Sequence, residues 1–436
     1  MSYPTYAKHV AARWSEVGTI PLGWEARRLK FAVSLRNEKI EAEDSDLEYM
    51  GLEQIESWTG KRVEDETASS DGIATRFFKD DVLFGKLRPY LAKVYLAEQE
   101  GMATTEALVL VSDTVLVPAF LKYLLISSKF IDAVSGTTFG VKMPRANWDA
   151  IGGLPILLPS KDEQQQIAAF LDWKTGQIDA LIARKKELLE KLKEKRIAVI
   201  TQAVTKGLNP AALMRDSGIP WLGQVPQHWD VPALKFRYNV ELGKMLDEKR
   251  ITGEHPVSYL RNVDVQWDKI NYEDLPVMDI TQDEYPRYTI KENDVLVCEG
   301  GEVGRSAVAG AQEDVIGFQK AIHRLRADAG NELPKLLYYT LLWAVNTGVF
   351  SVEGASTIAH LTADQLRRYR FPRPPRSEQL AVVAYLDKRV GQIKKMTAKV
   401  ESAIDRLTEY RAALITAATT GKIDVRNVKV STQGQP

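Results

Sequence analysis

The chain has 436 residues, 44% hydrophobic and 27% charged, with 28 Gly and 19 Pro; these are globular proportions, and the length predicts about three folded units rather than one. Its 58 Lys and Arg balance 58 Asp and Glu, so any nucleic-acid surface must be local. A single cysteine, Cys298, excludes an internal disulfide framework and a Cys-built zinc site.

Residues 1–160 read as a mixed α/β domain, with a β-branched run at 107–111, intervening turns and a helical patch at 119–134. The apolar stretch 115–126 contains Pro118 and Lys122 and is too short to span a membrane. The N-terminus lacks the apolar core of a signal peptide, and a cytoplasmic protein is expected. Residues 161–206 predict one long helix. The segment 163–205 has no Pro and one Gly, is rich in good helix formers, and follows Pro159 and Ser160, a stop to backward extension and a cap. Residues 207–224, with Pro210, Gly218 and Pro220, read as a linker. Residues 225–375 form a second mixed domain, with strands at 295–298 and 322–325 and a helical patch at 333–345. A second long helix is expected over 376–421, followed by a polar tail at 422–436.

These parts are a tandem duplication. Shifted by 215, residues 163–205 lie over 378–420 without a gap and are identical at 17 of 43 positions, among them Glu163/Glu378, Gln164/Gln379, Leu171/Leu386 and Asp172/Asp387. A second match aligns 20–31 with 225–236, where Pro21/Pro226, Trp24/Trp229, Leu29/Leu234, Lys30/Lys235 and Phe31/Phe236 coincide. Between these anchors the halves share pattern more than identity, as in DDVLFGKL at 80–87 against NDVLVCEG at 293–300. Each helix would be a rod of about 60 Å. In the second, Ile393, Met396, Val400, Ala403, Leu407, Tyr410 and Leu414 form a heptad seam; in the first, Ile178, Leu181, Leu188, Leu192 and Val199 keep that register, interrupted by Lys185 and Lys195. Pairing of the two rods follows, in either direction.

Catalytic constellations are missing. The stretch from Gly136 through Gly140 to Lys142 has the wrong spacing for a phosphate-binding P-loop, and Gly300, Gly301 and Gly304 read as a tight turn. No zincin motif, nucleophile elbow or paired-Cys motif occurs, and Cys298 reads as a buried strand residue.

The segments LPSKDEQQQIAAFLDWKTGQIDALI (158–182), PPRSEQLAVVAYLDKRVGQI (374–393) and DSGIPWLGQVPQHWDVPALKF (216–236) are characteristic, and their arrangement covers nearly the whole chain. In these the chain resembles the specificity subunits of type I restriction-modification systems. The resemblance implies an α+β fold: a tandem duplication of a target-recognition domain followed by a long helix, with the two helices pairing as an antiparallel coiled coil. It implies a non-catalytic protein whose two recognition domains each read one half of a bipartite double-stranded DNA target, while the rods set the spacing. The partners implied are two modification subunits, which carry S-adenosylmethionine and methylate adenine, and restriction subunits, which use ATP and magnesium; no cofactor is expected in this chain. Asn209-Pro210-Ala211 departs from the methylation motif a fused methyltransferase would carry. A scaffold without DNA function is the other alternative, on which tandem recognition domains are hard to explain.

Base edges are reached mostly by Arg, Lys, Asn, Gln and His from loops or helix ends. The candidates in the first domain are Lys86, Arg88 and Tyr90 after a strand, and Lys142, Arg145 and Asn147 after the turn at 136–140. In the second they are Arg261, Asn262, Arg305, Gln319, Lys320, His323 and His360, the last aligning approximately with Lys142. A surface charge or a helix cap is the competing role for each. Trp24 and Trp229 read as structural anchors, because a reader of two different half-sites has no need to repeat them in identical context. The run Glu41, Glu43, Asp44, Asp46 and Glu48 leaves residues 1–160 at net −4; it reads as a face turned from DNA or toward a partner, or as a solvated loop.

Overall fold

The computed structural model describes residues 3–15, 17–43, 45–64, 72–140, 142–246, 252–328, 330–350 and 360–429. It divides into two compact units, 1–186 with 401–436, and 187–400. The two long helices, Lys161–Lys206 and Arg376–Thr419, each contribute residues to both.

In the first unit an antiparallel sheet runs in the order Val33–Leu35, Ala107–Ser112, Val82–Gly85, Val94–Leu96. The second unit repeats it with Tyr238–Leu242, Ile322–Ala327, Val295–Cys298 and Ser306–Val308. The registers correspond, Ala107 facing Gly85 as Ile322 faces Cys298. Val82–Gly85 and Val295–Cys298 are apolar throughout because both faces are covered, one by helices and the other by a second small sheet. Those second sheets also correspond: Tyr49–Met50 runs parallel to Gly101–Thr104, and Pro256–Leu260 parallel to Ile316–Phe318.

The helical patches form as expected, with one division. The first breaks at Ser127, whose Oγ accepts from the backbone N–H of Phe130 at 3.4 Å, giving Pro118–Ile126 and Ser128–Ser135; the second is continuous over Pro334–Asn346. Proline at the first turn suits both, since its missing N–H would be unpaired there anyway.

Each unit builds its core around the start of one long helix and the end of the other. In the first, Ile167, Phe170, Leu171 and Ile178 share a cluster with Leu414, Ile415 and Ala418, and Arg411 binds Asp179 at 2.8 Å. In the second, Ile200, Ala203 and Val204 share one with Val382, Val383 and Leu386. The helices therefore run antiparallel. The heptad seam is only partly buried: Ile178, Leu192, Ile393 and Leu414 are enclosed, but Leu181, Leu188, Met396 and Tyr410 are exposed. The α/β domains, rather than a continuous interhelical seam, cover the ends of the rods.

The residues that both halves retain make the same contacts twice. Trp24 Nε1 donates to Glu163 at 3.2 Å and Trp229 Nε1 to Glu378 at 2.9 Å. Gln164 donates to the carbonyls of Val115 and Pro159 and accepts from the N–H of Val117; Gln379 donates to those of Asn331 and Pro374 and accepts from Leu333. Tyr123 donates to Asp172 and Tyr339 to Asp387, each at 2.6 Å. Burial first, then the acceptor carboxylate, pushes both phenols well above their ordinary pKa and keeps them donors. Gly207 and Gly421 end the helices at φ 75° and 70°; a Cβ at Gly207 would lie 2.9 Å from the Trp229 ring, and one at Gly421 2.5 Å from Pro21. The two tryptophans are anchors, as read from the repeat.

Candidate nucleic-acid interface

In the first unit the structure brings six of the candidates together. The loop after Val82–Gly85 and the segment after the turn at 136–140 are laced by backbone hydrogen bonds: Arg88 N–H to Pro144 O at 2.7 Å, Ala146 N–H to Lys86 O at 3.0 Å, and a β-bridge between Leu87 and Arg145. The backbone polar groups of these loops are spent on each other, which leaves side chains to face outward.

Those side chains differ in freedom. Arg145 is held by Glu106, Nε and Nη2 each 3.0 Å from a carboxylate oxygen. Asn147 caps Trp148–Gly153, its Oδ1 accepting from Ala150 N–H at 2.8 Å, so the capping role accounts for it. Lys86 and Arg88 are half-buried, Lys142 is exposed, and none of these three has an ion-pair partner among the described residues. Tyr90 is 47% exposed. The sequence reading missed Phe139 and Met143, 57% and 59% exposed beside them; a Phe inside a glycine turn was the available signal.

The second unit repeats this construction with different chemistry. Leu361 N–H donates to Glu299 O at 2.8 Å as Ala146 does to Lys86, and Glu299 N–H donates to Ala321 O as Lys86 N–H does to Glu106 O. Thr362 caps Ala363–Arg368 where Asn147 caps its counterpart. Several candidates are consumed internally. Arg261 is forked onto Asp264 at 2.8 and 2.9 Å, which holds that carboxyl below its ordinary range although burial pushes it up. Arg305 donates to the Oδ1 of Asn262 at 2.7 Å, and Asn262 Nδ2 donates to Gly300 O. His323 does not lie at a surface at all: it points into the core of its strand, fully buried, with Nε2 2.6 Å from Leu361 O. Burial holds its pKa below the usual imidazole value. Lys320 and His360 are exposed, Gln319 is half-buried, and the backbone of Lys244 is bonded to this loop, with Met245 exposed next to it.

Of the acidic run, Glu48 pairs with Arg62 and accepts from Gln99, so part of it serves structure; Asp44 lies outside the described residues. Cys298 is buried in its strand, and burial pushes its thiol pKa up. Among the described residues no cluster of three His, Cys, Asp or Glu is placed to hold a metal, and no helix is long and apolar enough to cross a membrane.

The chain thus holds two copies of one α+β fold, each presenting laced loops and each followed by a long helix. The family model of the type I restriction modification DNA specificity domain matches residues 35–194 and 239–404, and the chain belongs to that family. It is 22% identical over 380 residues to the type I restriction enzyme MjaVIII specificity subunit of Methanocaldococcus jannaschii, covering 82% of this chain and 85% of that one. It is 25% identical over 211 residues to the EcoDI specificity subunit of Escherichia coli, a match spanning 45% of this chain and 47% of the relative. Among solved structures, the fold matches a chain from a study of complex assembly and conformational transition in the type I R-M system, with TM-score 0.74, 18% identity and coverage of 92% and 99%. The HsdS subunit of Thermoanaerobacter tengcongensis matches with TM-score 0.56, 19% identity and coverage of 92% and 98%.

Proposed function

We infer that this chain gives a type I restriction-modification complex its DNA sequence specificity by reading a bipartite target, one half-site per recognition domain. The observation that carries this reading is the contrast within the repeat. Core anchors are retained residue for residue, while the laced loops at corresponding positions carry Lys86, Arg88 and Tyr90 in one copy and Glu299, Gly301 and Glu302 in the other. A surface that diverges on a retained scaffold suits two different half-sites.

The long helices serve two further roles in this proposal. A 46-residue helix is about 69 Å long, enough to fix a separation of one or two DNA turns of about 34 Å. The helices also dock two methyltransferase subunits. Supporting this, both copies keep residues that packing within the chain does not require: exposed Ala169/Ala384 and Gln177/Gln392, and the helical Gly176/Gly391, around whose Cβ position there is open space. Glycine inside a helix costs about 1 kcal/mol relative to alanine, and close approach of a partner accounts for keeping it twice. Exposed Leu181, Leu188 and Met396 add apolar surface. Adenine methylation with S-adenosylmethionine, and cleavage with ATP and magnesium, then belong to the cytoplasmic partners.

The test is co-expression with the modification subunit followed by methylation sequencing of host DNA. A bipartite motif with methylated adenine in both halves, absent without this chain, is expected. Unmethylated DNA from an assembled complex would remove the reading.

A further inference from the structure

Arg88 combines a costly backbone conformation with an uncommitted side chain. Its backbone is left-handed, φ 50° and ψ 57°, a region that a side chain with a Cβ enters only at a conformational cost. The corresponding position of the other repeat is Gly301, φ 75°, where a Cβ would meet nothing closer than 3.8 Å. Space therefore does not demand glycine there; the dihedral angle favours it, and the copy that needs no side chain uses it. Arginine stands at the same turn against that preference.

The guanidinium is also uncommitted. Its Nε is buried without a hydrogen-bond partner, and no carboxylate pairs with it among the described residues. The other candidate arginines are spent, Arg145 on Glu106, Arg261 on Asp264 and Arg305 on Asn262. Lys86 and Lys142 are free, but an ammonium is a point charge, whereas a guanidinium presents a planar fork. The backbone around Arg88 is held at 2.7 Å from its N–H to Pro144 O and at 2.9 Å from Leu91 N–H to its carbonyl, and Pro89 follows it directly. A forked donor on a rigid, strained turn, flanked by exposed Tyr90, Phe139 and Met143, is preorganised for a planar pair of acceptors.

We propose that Arg88 is a specificity-determining residue of the first recognition domain, donating its guanidinium fork to the O6 and N7 edge of a guanine. This rests on the DNA-reading function inferred above. Among base edges this one offers two coplanar acceptors matched to arginine.

The test uses the full chain co-expressed with its modification subunit, comparing host methylomes for wild type, Arg88→Lys and Arg88→Gly. Both variants are expected to relax exactly one G·C position, in one half-site only, with discrimination there falling about 5- to 150-fold. The other half-site stays intact. Arg88→Gly should melt at or above the wild-type temperature, because glycine relieves the left-handed turn. An unchanged motif overturns the proposal, whether methylation is complete or uniformly weakened, the second result making Arg88 a phosphate contact. Failure of Arg88→Gly to assemble overturns it as well, by making the side chain a structural one. If the wild-type complex yields no bipartite methylation, this inference falls together with the reading on which it rests; a wild-type motif with unresponsive variants removes this inference alone.

Discussion

At the same place in the two units, beneath the first sheet, the protein uses opposite solutions. The first unit packs Ala32 against a cluster that includes Leu116, both fully enclosed and apolar. The second has Arg237 and Glu332 at the corresponding positions, 3% and 4% exposed, bonded at 2.6 and 2.9 Å, with Nη1 also donating to Phe371 O. One scaffold thus tolerates an oily contact or a satisfied ion pair, provided nothing is left half-made. What the units do not exchange is the set of contacts on the long helices, Trp to Glu, Gln to three backbone groups and Tyr to Asp. The interchangeable sites fill volume, whereas the retained ones fix how a recognition domain sits on its helix.

The helices are unequal too. Within the second unit they carry eleven basic and five acidic residues; within the first, seven of each. Each rod taken alone is basic, but antiparallel pairing sorts the surplus into one unit.

The largest expected effect breaks the core comparison. Glu332→Ala strands a buried guanidinium and should cost about 3–5 kcal/mol in urea denaturation, while the double change Arg237→Ala with Glu332→Leu, which imitates the first unit, should restore wild-type stability or exceed it. A single variant within about 1 kcal/mol of wild type would deny the pair its structural role. Next come the shared anchors. Tyr123→Phe and Tyr339→Phe should each lose about 1.5 kcal/mol by the same measurement, and unequal losses would show that the two copies do not use the contact alike.

A pH effect from a buried histidine should appear in one unit only. His323 is buried with a depressed pKa, and its counterpart in the first unit is Leu108. The unfolded chain takes up a proton below about pH 6.5 and the folded imidazole resists it, so stability is constant above that pH and declines below it until the folded pKa is passed. Thermal melts at pH 7 and pH 5 should show that His323→Leu flattens this decline. The smallest effect concerns phosphate contacts: Lys86→Ala and Lys142→Ala should each lower the salt slope of DNA binding by about one without altering the motif. A motif change there would move these lysines among the base readers.

The retained anchors were legible as anchors because duplication displays them. Two copies of Trp24, Glu163, Gln164 and Asp172 in fixed context mark positions that packing constrains, and helix propensity with proline punctuation located the long helices. The laced loops were legible only as composition. Arg88, Arg145, Arg261 and Arg305 look alike in a sequence; three are engaged by side chains 3 to 43 positions away, and one has no such partner among the described residues. His323 looked like a strand-end donor, since nothing local reveals that Leu361 closes over it.

Sequence alone thus determined the duplication, the mixed α/β character of the two domains, the two rods and the absence of familiar catalytic motifs. These follow from periodicity, propensity and spacing, which act over a few residues or are copied outright. Tertiary structure decided the helix direction, which residues of the heptad seam are buried, the ion pair at Arg237 and Glu332, and which cations remain uncommitted among the described residues. Those depend on what each side chain meets across the chain, where desolvation and hydrogen-bond satisfaction set the outcome.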